Sequence, residues 1–138
     1  MKVAINKCYG GFSLSYEAVM LWAEKSGIKL YPFVEKDKWH LIDSTFVPYT
    51  GKEEVTFGPH YATKPLTAGG KYEDDSYFND RDIKRNDPKL IETIEELGLE
   101  ANGKVAELKI FEIPDGVEFE IEEYDGMEWV AETHRTCG

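Results

Sequence analysis

The chain reads as an α+β domain: a mainly antiparallel sheet that ends in a C-terminal three-stranded meander, with two helices packed on one face. Three observations carry this expectation. Two segments have helical periodicity between clear start and stop signals. Residues 104–134 give three strand-like runs in succession, split by the turn dipeptides Asp115-Gly116 and Asp125-Gly126. The middle run alternates strictly: Val117, Phe119 and Ile121 point one way and Glu118, Glu120 and Glu122 the other. That pattern suits a sheet with one dry face and one wet face.

From the N-terminus, residues 2–6 (KVAIN) alternate as a short strand, with Val3 and Ile5 on one face. Gly10-Gly11 breaks it. Ser13 or Ser15 caps the next helix, in which Leu14, Ala18, Leu21, Trp22 and Lys25 form a stripe and Gly27 gives the stop. Residues 28–35 and 39–43 read as strands about the polar turn Lys36-Asp37-Lys38, and Pro32 places the first at an edge or a bulge. A third short strand is expected over 53–58. Residues 59–86 form the longest irregular stretch, with two of the three arginines and five aromatic or imidazole side chains. Loops of that length in a compact domain are often functional. The second helix is the best marked: Asp87 caps, Pro88 opens, Leu90, Ile91, Ile94 and Leu97 make the stripe, and Gly98 ends it.

With 138 residues, one domain over 1–138 is expected, long enough for a real core. A hydrophobic fraction of 41% argues against disorder despite 31% charged residues. No apolar run reaches the roughly 20 residues of a membrane span, and no secretory leader pattern opens the chain. Cys8 and Cys137 make no disulfide framework, so a reducing cytoplasm is the expected compartment. The 27 acids against 16 bases, a formal charge of -11, exclude a nonspecific nucleic-acid binder. His40, His60 and His134 lack metal-ligand spacing, and neither a metal nor another cofactor is expected.

The candidate site lies in "NKCYGGFSLS". Strand, glycine turn and helix start in that order can present free N–H groups to an anion, although neither the dinucleotide fingerprint nor the P-loop pattern is met. A tight structural turn is the competing reading. The only arginines, Arg81, Arg85 and Arg135, stand against thirteen lysines. Arg81 and Arg85, four apart, could clamp a phosphate or carboxylate, or neutralise Asp80, Asp82 and their acidic neighbours. Aromatic side chains gather beside them in "SYFNDRDIKRND" and again as Tyr9 and Phe12. Aromatic faces with arginine forks suit a purine and its phosphates; they suit cores equally.

"NKCYGGFSLS", "YFNDRDIKRNDPKLIETIEELG" and "EIPDGVEFEIEEYDGMEWVAETHRT" together resemble a family of small proteins of unassigned role common in phage and prophage genomes. The likeness covers the two ends and the segment before the second helix, and departs at Cys137, where an aromatic residue is expected. It implies a phage setting and an anti-defence protein, and it names no chemistry. Three functions follow as expectations. The first is a sponge that sequesters an anionic nucleotide-type signalling molecule without turnover, as a homo-oligomer. Its site would be lined by Tyr9, Gly10, Gly11, Phe12, Tyr77, Asn79, Arg81, Arg85 and Arg135. The second is an acidic protein that inhibits a host enzyme through the Glu face of the meander. The third is a small nucleotide-processing enzyme using Cys8 or His134.

Overall fold

The computed structural model describes residues 1–35, 45–52 and 58–132. Its elements are β1 (Lys2–Asn6), α1 (Tyr16–Ser26), β2 (Tyr31–Glu35), β3 (Phe46–Pro48), β4 (His60–Ala62), β5 (Tyr77–Phe78), α2 (Pro88–Leu97), β6 (Leu108–Glu112), β7 (Phe119–Tyr124) and β8 (Met127–Glu132). The fold is α+β and its sheets are antiparallel: β1-β6, β3-β2-β4-β5 and β7-β8.

Both helices start and stop where their capping chemistry dictates. Ser15, not Ser13, caps α1, its Oγ accepting the Ala18 N–H at 3.1 Å, and Gly27 closes it in the left-handed conformation. Asp87 caps α2 ahead of Pro88, and Gly98 follows the last turn. The buried face of α1 is Ala18, Val19, Trp22 and Ala23, so the stripe sits slightly round from the expected Leu14-Ala18-Leu21-Trp22 line. Trp22 reaches α2 through its indole N–H, 3.3 Å from the Asp87 carboxylate.

β1 is the central plank. Ala4 faces the main core with Leu14, Val19, Trp22, Leu90 and Ile94, whereas Val3 and Ile5 face a second cluster with Ile113, Phe119, Ile121 and Val130. One sheet therefore separates the helices from the β7-β8 hairpin, which is why β1 is apolar on both faces.

Three expectations need correction. The meander is split: β7 and β8 form the hairpin set by Asp125-Gly126, but β6 pairs with β1, Lys2 opposite Glu112. Val117, Phe119 and Ile121 lie on the inner side as the alternation requires, yet only half-buried, because β7 is an edge and has no sheet beyond it. β2 is an inner strand despite Pro32, because β3 covers chiefly its end half, Phe33–Glu35, and β4 its first half, Tyr31–Phe33. The stretch 59–86 is also not wholly irregular. It contributes β4, β5 and two 3-10 turns, and β4 and β5 complete the four-stranded sheet. The expected strand over 39–43 lies outside the described residues, as does 53–57.

Candidate functional site

Asn6, the last residue of β1, builds the glycine turn. It is fully buried, and its amide nitrogen donates to the carbonyls of Cys8 (2.7 Å) and Gly126 (2.8 Å) while its Oδ1 accepts the Glu107 N–H at 2.8 Å. One side chain thereby ties the N-terminal turn, the β7-β8 turn and the approach to β6 together. The Cys8 thiol donates to the Val105 carbonyl at 2.7 Å. Gly10 lies so close to that carbonyl that no Cβ fits. Gly11 has φ +90°, and Gly126, at φ +92°, presses on the same turn. A Cβ on Gly126 would stand 2.5 Å from the Gly11 nitrogen and 2.6 Å from the Tyr9 oxygen. The glycines are first of all what lets three backbone segments meet.

Arg85 is committed to the fold. Its Nη1 and Nη2 donate to the two oxygens of Glu128 at 2.6 and 2.9 Å, and the guanidinium carbon lies 3.5 Å from the Phe12 ring centroid. Glu128 is only 5% exposed and also accepts the Asn6 backbone N–H at 2.9 Å. A buried carboxylate needs such a fork, since an unpaired charge there would be strongly unfavourable.

Arg81 is different. It lies in a 3-10 turn over Asp80–Asp82, exposed, and its Nε donates to the Phe12 carbonyl at 3.3 Å. Among the described residues it forms no ion pair. It stands between two concavities, and with Gly10 it lines both. One, of about 350 Å³, is walled by Tyr61, Tyr77, Phe78, Asn79 and Lys104. The other, of about 450 Å³, is walled by Tyr9, Gly11, Phe12, Glu123 and Asp125, with the Arg85–Glu128 pair at its base.

The first concavity holds two perturbed groups. Burial pushes the Tyr61 phenol above the ordinary tyrosine range, and the nearby Asp80 carboxylate adds to this, so the hydroxyl keeps its proton. Tyr61 is 7% exposed and lines this concavity. Burial also raises Asp80, opposed by the Leu14 N–H that it accepts at 2.9 Å and by the charge of Arg81. The arrangement can bind an anion at Arg81 and Lys104, stack a ring on Tyr77, and receive a hydrogen bond acceptor at Tyr61.

Of the nine residues expected from the sequence, Tyr9, Gly10, Gly11, Phe12, Arg81 and Arg85 meet at the second concavity, and Tyr77 and Asn79 reach the first. Arg135 lies outside the described residues, as does His134, so the Cys8–His134 arrangement falls there too. The glycine turn is set back from the start of α1. Residues 12–15 separate Gly11 from the helix, and the Ser15 side chain takes the Ala18 amide. Sequence reasoning missed Tyr61, Asp80 and Lys104 on one side and Glu123 and Asp125 on the other. Asp125 carried a signal only as a turn residue, and Lys104 carried none. Comparison with family models, curated proteins and solved structures finds no match to the chain.

Proposed function

We propose that the chain is a binding protein that holds a small anionic, nucleotide-type molecule at Arg81 without turning it over, as a sponge in a phage counter-defence setting. One observation carries the proposal: Arg81 is placed at the junction of two concavities with no carboxylate paired to it among the described residues, in a protein of net charge -11. An arginine among so many acids that keeps its Nη groups for solvent is available to a phosphate. The protonated Tyr61 hydroxyl and the exposed ring of Tyr77 support it as polar and stacking partners in the same cavity. The test is to purify the chain from infected or signalling-active cells, denature it and identify released small molecules by mass spectrometry. A phosphorylated compound released by the parent and absent from Arg81→Ala supports binding; equal release from both removes Arg81 from the site.

A second reading rests on the hairpin. Glu120 and Glu122 are exposed on the outer face of β7, with Glu118 exposed just before it, beside the exposed rings of Tyr124 and Trp129. That surface suits a basic protein partner, and it is favoured if the released fraction contains no phosphorylated compound.

A further inference from the structure

We infer that the ligand of this site is a phosphodiester joining two ring-bearing groups, seated astride Arg81 with one group in each concavity. The inference rests on the binding reading above and goes beyond it by fixing the ligand's class.

Geometry gives the first reason. The two concavities are separate spaces of about 350 and 450 Å³ that share Gly10 and Arg81 in their walls. Each is near the lower end of the size range of small-molecule sites, enough for one nucleoside-sized group. Between them a Cβ on Gly11 would approach the Arg81 Nη2 to 3.3 Å, so a glycine there leaves the guanidinium face clear. Each side also offers one exposed aromatic ring, Tyr77 (44% exposed) at the first and Tyr9 (62%) at the second. Stacking on such rings tolerates any base.

Charge gives the second reason, and it selects a diester. In the first concavity Arg81 and Lys104 outweigh Asp80. In the second, Arg85 and Glu128 cancel, and Glu123 and Asp125 outweigh Arg81. A further phosphate on that side would meet two carboxylates. A neutral sugar or base would instead give them O–H or N–H donors. A diester carries a single charge, which falls at Arg81, and a neutral group on either side. Monoesters and polyphosphates put more negative charge into the same space.

The test is calorimetric titration of the full chain with the dinucleoside monophosphates ApA, GpG, CpC and UpU, with the matching 5′-mononucleotides, and with cyclic AMP as a diester bearing one ring. At least one dinucleoside monophosphate is expected to bind roughly tenfold tighter than its mononucleotide, the second stacked ring supplying the difference. Tyr9→Ala should erase that advantage. Glu123→Gln with Asp125→Asn should weaken the dinucleotide while improving the mononucleotide; Asn tolerates the positive φ of Asp125. If mononucleotides or cyclic AMP bind as tightly as the dinucleotides, the two-ring inference is overturned and the binding reading stands. If no probe binds a chain whose melt is native, both fall.

Discussion

Arg81 and Arg85 are four residues apart on one approach to α2, and the molecule treats them in opposite ways. Arg85 is drawn under the hairpin, forked onto a buried carboxylate and laid on the Phe12 ring. Arg81 stays exposed, and among the described residues its side chain makes a single hydrogen bond, to a backbone carbonyl. The difference lies in what arrives from elsewhere in the chain. β8 delivers Glu128 to Arg85, and among the described residues nothing comparable comes to Arg81. An arginine's role is set by the nearest unpaired carboxylate, and here that partner is 43 residues away in sequence.

The largest effect separating the two belongs to Arg85. Arg85→Ala strands the Glu128 carboxylate, and Glu128→Ala strands the guanidinium while orphaning the Asn6 N–H; each should lower stability by about 3–5 kcal/mol. Chemical denaturation measures this. Arg85→Met with Glu128→Leu should recover part of the loss, because an apolar pair leaves no charge buried while the Asn6 N–H still lacks its acceptor. A single variant that melts with the parent would mean the pair is not holding the hairpin.

Arg81→Ala should show the converse. Stability changes by no more than about 0.5 kcal/mol, as for a surface substitution. Affinity for the tightest of the nucleotide probes falls by about 1.5–3 kcal/mol, the worth of a charge-assisted hydrogen bond. An Arg81→Ala protein that unfolds readily, or binds undiminished, would erase the contrast between the two arginines.

Next comes Phe119, which faces the second cluster only half-buried. Phe119→Ala should cost roughly half of the 3–5 kcal/mol typical of a fully buried phenylalanine. A loss as large as that of Arg85→Ala would mean that packing, rather than the ion pair, fastens the hairpin.

What the sequence made legible was local. Caps and glycine stops delimit both helices, and Asp125-Gly126 fixes the β7-β8 hairpin, because each signal is complete within a few residues. The pairing of β6 with β1 joins residues about a hundred positions apart, and nothing in either strand names its partner. β4 and β5, three and two residues long, carry too little periodicity to stand out in a polar loop. The site divides the same way. Tyr9, Gly10, Gly11 and Phe12 were visible as a group because they are contiguous. Tyr61, Asp80 and Lys104 come from three separate segments and meet only through the sheet. Asn6, the residue that organises the turn, looked like the polar end of an apolar strand.

The smallest effect concerns Asp80, the acid beside Arg81. Burial raises its pKa above the ordinary 3.8, although the Leu14 N–H and the Arg81 charge oppose the shift. Asp80 therefore holds its proton to higher pH in the folded chain than in the unfolded one. Between those two values the folded state binds more protons, so this group's contribution to stability falls as pH rises through the window and then levels off. Asp80→Asn keeps an oxygen for the Leu14 N–H and removes the titration. The stability of the parent relative to Asp80→Asn should thus decline from pH 3.8 upward until the folded carboxyl has ionised. The same ionisation puts a negative charge in the first concavity next to the phosphate position. Affinity for a dinucleoside monophosphate should rise as pH is lowered through the window in the parent, and stay flat in Asp80→Asn. A parent-minus-variant stability difference that grows with pH would show that Arg81 and the backbone amides outweigh burial. Asp80 would then be a fixed anion neutralising Arg81, and the availability of Arg81 to a ligand, on which its contrast with Arg85 depends, would be lost.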